Sequence, residues 1–529
     1  MSTPVLQDWA PFRAEPSEST SRATGTRALK LFFINPPSPD GDTWIRCQYR
    51  AGQRAPDGTV WPQVALAQLA ALFPDRTVSI LDAHARHLNW RDVDEELHRE
   101  RPRWYITQVT GPTLESDLQG LTLAKRAGAA TVVFGPLVTP VAQELLHRFP
   151  ALDYVLCGEP EVTLRELVDT VDGHWDERPP QIARLCDQTG EPLQSRTLGA
   201  IRGLAWRHEG QPIVNPLRPL IRSLDDLPLP AHSLLPLSKY CAPAIRAPAA
   251  AIVTGRGCPG NCSFCPKHVT YGQSLRVRSP DHILEEILLL GRLGVRHIYM
   301  QADLFTACRE QVVDLCRLIV AEKLTVAWSC CSRVDAVDPE LLQWMGQAGC
   351  RWITWALEAG NDALLWRTGK GTRADQAERA LDWAQAAGIR NWGSFIFGLP
   401  GETEETIQQT INLAKKLKLE RVTFDLAVPR PGTPFWEQAT AKRWLRRGTR
   451  WQDGDPCGPA ILDYPGLEAA RLEFWRECAY REWALRPGSS WGYLPDLAPA
   501  RATTSLLRTS VQRPRAAWSD AKLPEDTGR

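Results

Sequence analysis

"TGRGCPGNCSFCPKH", residues 254–268, is the stretch on which the fold of this chain turns. Cys258, Cys262 and Cys265 follow a C-x3-C-x2-C spacing, with glycines around the first and Phe264 just ahead of the third. Three uses compete: a disulfide framework, a zinc knuckle, or a three-thiolate iron–sulfur site. The 14 cysteines are spread along 529 residues rather than concentrated in a small scaffold, which argues against a disulfide framework. The first residues, "MSTPVLQDWAPFRAEPSESTSRATGTR", carry no apolar export segment. No run of about 18 apolar residues offers a membrane span. A cytoplasmic, reducing setting is therefore expected, where clustered cysteines bind metal or do redox chemistry. Zinc takes four ligands, often as two pairs, yet His268 is the one nearby fourth candidate and a second pair is missing. Three thiolates with one position open suit a [4Fe–4S] cluster whose fourth iron binds a ligand.

Working outward, the cysteine stretch directly follows a strand candidate, "AAIVTGRG". Five more follow: "HIYMQADLF", "LTVAWSCCS", "WITWALEAG", "WGSFIFGLPG" and "RVTFDLAVPRPG". Ser279-Pro280 and Asp338-Pro339 read as N-cap and first helical residue, and Gly349 and Gly388 as C′ glycines. Six βα units in succession predict part of a parallel barrel, with chemistry at the carboxyl ends of its strands. Upstream, "LKLFFINPP", "TVSILDAH", "RWYITQVT", "ATVVFGP" and "DYVLCGEPE" are strand candidates, separated by helical stretches such as "WPQVALAQLAALF" and "DLQGLTLAKRAG". That alternation predicts a doubly wound, Rossmann-like parallel sheet.

The expected order is α/β throughout. A disordered lead-in covers 1–27, a doubly wound domain 28–170, and a Pro-rich irregular connector 171–245. A partial (βα)6 barrel follows over 246–440, then a small, mostly helical region over 441–490 and a poorly ordered tail over 491–529. The formal net charge of +1, from 62 basic and 61 acidic residues, leaves no electrostatic footprint for nucleic acid. A small-molecule substrate is the expectation.

Residues 250–440 resemble a radical S-adenosylmethionine (SAM) core. The likeness rests on the cysteine loop after the first strand, "FIFGLPGETEET" at 395–406 and "PRPGTPFW" at 429–436. Residues 28–170 resemble the cobalamin-binding domain that precedes this core in one large subgroup, home to class B methyltransferases and oxidative cyclases. "FINPPSPDG", "SILDA", "FGPLVT" and "DYVLCGEPEVTLREL" stand where that subgroup has its strand-end loops. "LDDLPLPA" and the late "AYREWALRP" are also typical of it.

The resemblance implies three cofactors: a [4Fe–4S] cluster on Cys258, Cys262 and Cys265, SAM, and cobalamin. It also implies a flavodoxin- or ferredoxin-type electron donor. In the subgroup's D-D-x-F-T pattern this chain has "QADLFT", with Ala302 in place of the first acid, so Gln301 or Asp303 is left to hold the methionyl amine. Arg333 is a candidate for the SAM carboxylate or else a structural ion pair, and Glu358 for a ribose or methionine contact. Cys330 and Cys331 read as core cysteines, and Phe264 as a cover for the cluster or plain packing. On the cobalamin side stand Asn35, Gly135, Pro136, Gly158 and Glu159, the glycine at 135 giving the backbone room to approach the nucleotide tail. "DAHARH" contains Asp82-x-His84, part of a cobalt-ligating signature, but it lacks the glycine, has His87 instead, and follows the wrong strand. His84 is therefore read as an ordinary strand-end residue. No catalytic acid or base is singled out.

The activity so implied is a cobalamin-dependent methyltransferase acting on an unactivated carbon, or phosphorus, through methylcobalamin and a 5′-deoxyadenosyl radical. An oxidative cyclase or rearrangement enzyme without methyl transfer is the alternative. A bare corrinoid or iron–sulfur carrier is the third reading, disfavoured because a carrier needs no complete SAM barrel.

Overall fold

The computed structural model of the chain describes residues 30–47, 52–55, 58–174, 178–187, 197–241 and 247–486. The lead-in at 1–27 and the tail at 491–529 lie outside the described residues. Five strands form the parallel core of the first sheet: β1 (Lys30–Asn35), β2 (Thr77–Asp82), β3 (Trp104–Gln108), β4 (Ala130–Phe134) and β5 (Tyr154–Leu156). Their order is β2-β1-β3-β4-β5. Near-continuous apolar runs such as KLFFIN make this possible, because helices cover both faces. The order reverses between β1 and β3, and doubly wound sheets take ligands at the carboxyl ends flanking such a reversal.

The connector is less irregular than its prolines suggest. β6 (Leu204–His208) and β7 (Gln211–Val214) form a hairpin that extends the sheet antiparallel from β5. Its two-residue turn, Glu209-Gly210, has positive φ at both positions, 49° and 80°. That is the primed-turn geometry that matches strand twist. The alternation in "LAWRHEGQPIV" is short, and the surrounding prolines obscure it.

The second sheet contains β8 (Ala249–Val253), β9 (His297–Gln301), β10 (Ala327–Ser332), β11 (Cys350–Glu358), β12 (Arg390–Phe397) and β13 (Arg421–Leu426). All six are parallel and lie in sequence order, the arrangement of a partial barrel. Ser279 and Asp338 do cap their helices: each side chain accepts from the backbone three residues on, His282 N and Leu341 N.

The two sheets share a core. Ala249, Ala251 and Tyr299, from β8 and β9, pack with Trp61, Leu66 and Leu69 of the first domain. Trp61 and Tyr299 meet edge to face at 4.7 Å. The region after the barrel has one long helix, Ala469–Ala484, against β13, where Phe424 N donates to Tyr480 Oη at 3.0 Å. Residues 442–468 are mostly irregular rather than helical, and they return to the first domain. Trp451 joins that domain's core, and its indole nitrogen donates to Glu144 Oε1 at 3.1 Å.

Candidate active site where the two sheets meet

The cysteine loop leaves the carboxyl end of β8 and is gripped on two sides. Gly257 N donates to Asp303 Oδ2 at 2.7 Å, and Ser263 N donates to Thr368 O at 2.9 Å. Gly369 has φ of 74°, and a Cβ there would lie 2.2 Å from Asn261 O, so the loop 368–371 can close on the cysteines only with glycine at that position. Cys258, Cys262 and Cys265 are partly exposed. Burial raises the Cys262 thiol, against the pull of Lys370 and Arg333. Burial likewise pushes Cys265 up to about 11, against the pull of Lys267. Metal coordination deprotonates a thiol outright, and the three surrounding cations suit thiolates. Among the described residues no three Cys, His, Asp or Glu side chains converge as ligands of a single ion. A multi-iron cluster takes each thiolate on a separate iron and does not need such convergence.

The residues expected to hold SAM lie around this loop. Asp303 is 7% exposed, and besides Gly257 it faces Lys267, whose Nζ is 3.6 Å from Oδ1. Its carboxylate thus braces the cysteine loop. Arg333 pairs with Asp335 through both Nε (2.9 Å) and Nη2 (2.7 Å), and donates to Lys370 O at 2.7 Å. Its Nη1 lies 4.0 Å from Cys262 Sγ. The same arginine lines a cleft of about 550 Å³ with Pro259, Gly260, Thr306 and Asp335. Glu358 ends β11 at a register shift with φ of 65°, and its Oε1 accepts from Lys370 Nζ at 2.8 Å. Such left-handed backbone in a non-glycine residue is strained and concentrates at functional sites. Cys330 is a core thiol, fully buried in the same cluster as Cys316 and Cys350.

Gln301 looks the other way, into the space between the sheets. That cavity is lined by Gln63, Gln108, Glu161, Val253, Arg256 and Gln301. It therefore joins the carboxyl end of β3, at the strand-order reversal, to the carboxyl ends of β8 and β9. Gln108 and Gln301 are each 2% exposed; neither amide atom of Gln108, nor Gln301 Oε1, has a hydrogen-bond partner. Buried amides left unsatisfied cost about 1–3 kcal/mol each, and the enclosed space of about 20 Å³ on which they converge has the size of a single water.

The residues expected on the cobalamin side divide. Asn35 Nδ2 donates to Asp82 Oδ1 at 2.8 Å, while Tyr240 donates to the other oxygen, so Asp82 ties β1, β2 and the connector together. At Gly135 a Cβ would stand 2.3 Å from Val109 O, a reason for glycine internal to the sheet. Pro136 O accepts from Thr270 Oγ1 at 3.4 Å, linking this loop to the segment after the cysteines. Gly158 has φ of 75°, and a Cβ there would meet nothing within 4 Å. Glu159 is an inter-domain anchor: it accepts from Arg256 Nη1 at 2.8 Å, Arg276 Nη1 at 2.9 Å and Ile221 N at 2.8 Å. His84 Nε2 accepts from Trp44 N at 3.4 Å, with the ring 7% exposed.

Sequence reasoning missed Arg256, Arg276, Lys267 and Lys370. The first two flank the cysteine loop on the ribbon Gly255–Arg256/Arg276–Val277, and the last sits in "TGKGT" between two positive-φ glycines. Their charges and glycine neighbours were visible, but their partners, about a hundred residues away for the arginines, were not.

Comparison with known proteins identifies the family of both halves of this fold. The model of the radical SAM superfamily matches residues 252–414, and that of the B12 binding domain matches 54–168. An uncharacterized methyltransferase of Pyrococcus horikoshii is 31% identical over 437 residues, spanning 81% of this chain and 89% of that protein. The anaerobic magnesium-protoporphyrin IX monomethyl ester cyclase of Rubrivivax gelatinosus is 25% identical over 419 residues, spanning 78% and 70%. Two solved structures share the fold. The radical S-adenosylmethionine methyltransferase TsrM from Kitasatospora setae gives a TM-score of 0.64 at 18% identity, covering 88% of this chain and 90% of that one. The cobalamin-dependent S-adenosylmethionine radical enzyme OxsB gives 0.63 at 15% identity, covering 86% and 66%. The chain belongs to the cobalamin-binding branch of the radical SAM superfamily. It is a radical SAM enzyme whose cofactors are a [4Fe–4S] cluster, SAM and cobalamin.

Proposed function

We propose that the chain is a cobalamin-dependent methyltransferase acting on an unactivated carbon, or phosphorus, centre of a small molecule. One observation carries this reading. The ribbon that holds the cysteine loop is locked by Arg256 and Arg276 onto Glu159 at the carboxyl edge of the first sheet, so both cofactor regions open toward one inter-domain space. When bound, the cofactors supply a radical and a transferable methyl group. The chain's own residues fix geometry and keep water out. Asp303 and Thr368 hold the cysteine loop, Glu358 and Lys370 form a dry ion pair beside Cys262, and Gln108 and Gln301 offer amide groups to whatever lies between the domains. The cyclase relative in Rubrivivax gelatinosus keeps a second reading in play, in which no methyl group moves. Anaerobic turnover followed by mass spectrometry separates them. A product heavier by one CH2, labelled from methyl-labelled SAM, is expected. Loss of hydrogens or gain of oxygen without the label overturns methyl transfer.

A flavodoxin- or ferredoxin-type protein is proposed as the electron source, since the cluster must be reduced. None of the 14 cysteines is paired in a disulfide, which supports a reducing, cytoplasmic setting. No helix among the described residues is long and apolar enough to cross a membrane.

A further inference from the structure

Arg430 is the least compensated buried cation at the junction of the domains. It lies in "PRPG" just past β13, is 4% exposed, and its Nη1 has no hydrogen-bond partner. Among the described residues no carboxylate forms an ion pair with it; Asp455 acts only from a distance, and that carboxylate already binds Arg54 Nε at 3.2 Å. Burial consequently pushes the guanidinium down to about 10, far below its ordinary value. An unpaired buried charge is costly enough that folded chains normally supply a counter-charge.

The backbone is built to hold this arginine in place. Arg430 O accepts from Thr433 N at 3.1 Å and from Thr433 Oγ1 at 2.7 Å. Thr433 in turn caps the helix Pro434–Ala441 by accepting from Trp436 N at 3.1 Å. Phe435 N donates to Ser263 O at 3.1 Å, inside the cysteine loop. A Cβ at Gly432 would meet Val269 at 3.1 Å and Pro140, in the loop after β4, at 3.5 Å. The loop carrying Arg430 therefore touches the cysteine loop, the segment after it and the cobalamin-binding domain together.

We propose that Arg430 is the receptor for an oxyanion carried by one of the two organic cofactors: the phosphodiester of the cobalamin nucleotide tail or the carboxylate of SAM. The inference rests on the cofactor assignment above. A guanidinium offers a planar fork of donors that matches either group bidentately, and an oxyanion supplies both the missing charge and the missing acceptor.

The test compares affinity ratios in the full, cluster-reconstituted chain. Wild type and Arg430→Gln are titrated with cobalamin and cobinamide, which lacks the phosphodiester, and with SAM and decarboxylated SAM. Arg430→Gln is expected to lose about ten- to a hundredfold in affinity for one intact cofactor, and to treat its truncated counterpart as wild type does. The pair whose ratio collapses identifies the source. Arg430→Lys should retain part of the preference. The cofactor-free Arg430→Gln chain should melt no lower than wild type, since the lost charge had no partner. Unchanged ratios for both pairs overturn the inference while leaving the functional reading intact. A wild-type chain that binds neither cofactor overturns both.

Discussion

At the scale of single residues, the buried polar groups near the site carry the sharpest consequences. Burial, with Arg46 and His87 adding to it, lowers the His84 imidazole to about 3, and Nε2 is already an acceptor for Trp44 N. The folded chain thus keeps His84 neutral where the unfolded chain protonates it near pH 6.5. Between those values the unfolded state binds more protons, so stability rises with pH and is lost as pH falls below about 6.5. We expect about 2 kcal/mol of the loss between pH 6.5 and 5 to disappear in His84→Gln, measured by urea unfolding at each pH. Cobalamin absorbance should be unchanged in the same variant, and a lost spectrum would mean that His84 touches the cobalt. Glu358 and Lys370 form a pair with side chains only 9% and 4% exposed. Removing one partner strands the other charge, so Lys370→Met should cost about 3–5 kcal/mol. Glu358→Gln combined with Lys370→Met should cost clearly less than the sum of the single changes. Additive losses would show that the two residues do not act as a pair.

At the scale of elements, what the sequence shows is what is locally periodic. All six barrel strands and all five parallel strands of the first domain stand where apolar runs end in turn residues, because a strand covered on both faces must be apolar along its length. The caps at Ser279 and Asp338 were legible for the same reason: each is a bond to a residue three positions on. The hairpin at Leu204–Val214 was missed because its signal is a two-residue turn within a Pro-rich stretch. The ribbon around the cysteine loop was missed because its register depends on a contact rather than a pattern. Gly257 shows how tight that contact is: with φ of 85°, a Cβ would stand 1.7 Å from Ser274 O. Gly257→Ala must therefore pry the ribbon apart beside Cys258. Iron per chain after anaerobic reconstitution should fall well below wild type, with the circular dichroism of the remaining fold retained. Full iron content in this variant would remove the ribbon from any part in holding the cluster.

For the whole molecule, the three cysteines stand out in the sequence as candidate metal ligands because a ligand set is a spacing. The inter-domain machinery does not, because Glu159 and Arg256 are distant in sequence: Glu159 reads alone as a cobalamin-side candidate and Arg256 as a charge with no visible partner. Glu159 shows the balance of forces: burial raises its carboxyl, but Arg256 and Arg276 outweigh burial and hold it below the usual range. Its contribution is therefore present above the ordinary carboxylate value and is lost as pH falls through the depressed one. That network sits beside an apolar core running without a break from Trp61 and Leu66 to Ala249, Ala251 and Tyr299. Domains joined only by a polar interface move and melt separately, whereas a shared apolar core makes opening one half expose the other. The chain should accordingly unfold in one thermal transition, with far-ultraviolet ellipticity and tryptophan emission falling together. Glu159→Gln removes the charge that Arg276 answers and leaves Arg256 with Glu161 alone, and stranding the buried Arg276 should cost about 3–5 kcal/mol. In that variant the midpoint should drop and the two signals should begin to separate, since the core contact is left to couple the halves alone. Two well-separated transitions in the wild-type chain would show that the shared core does not couple the domains.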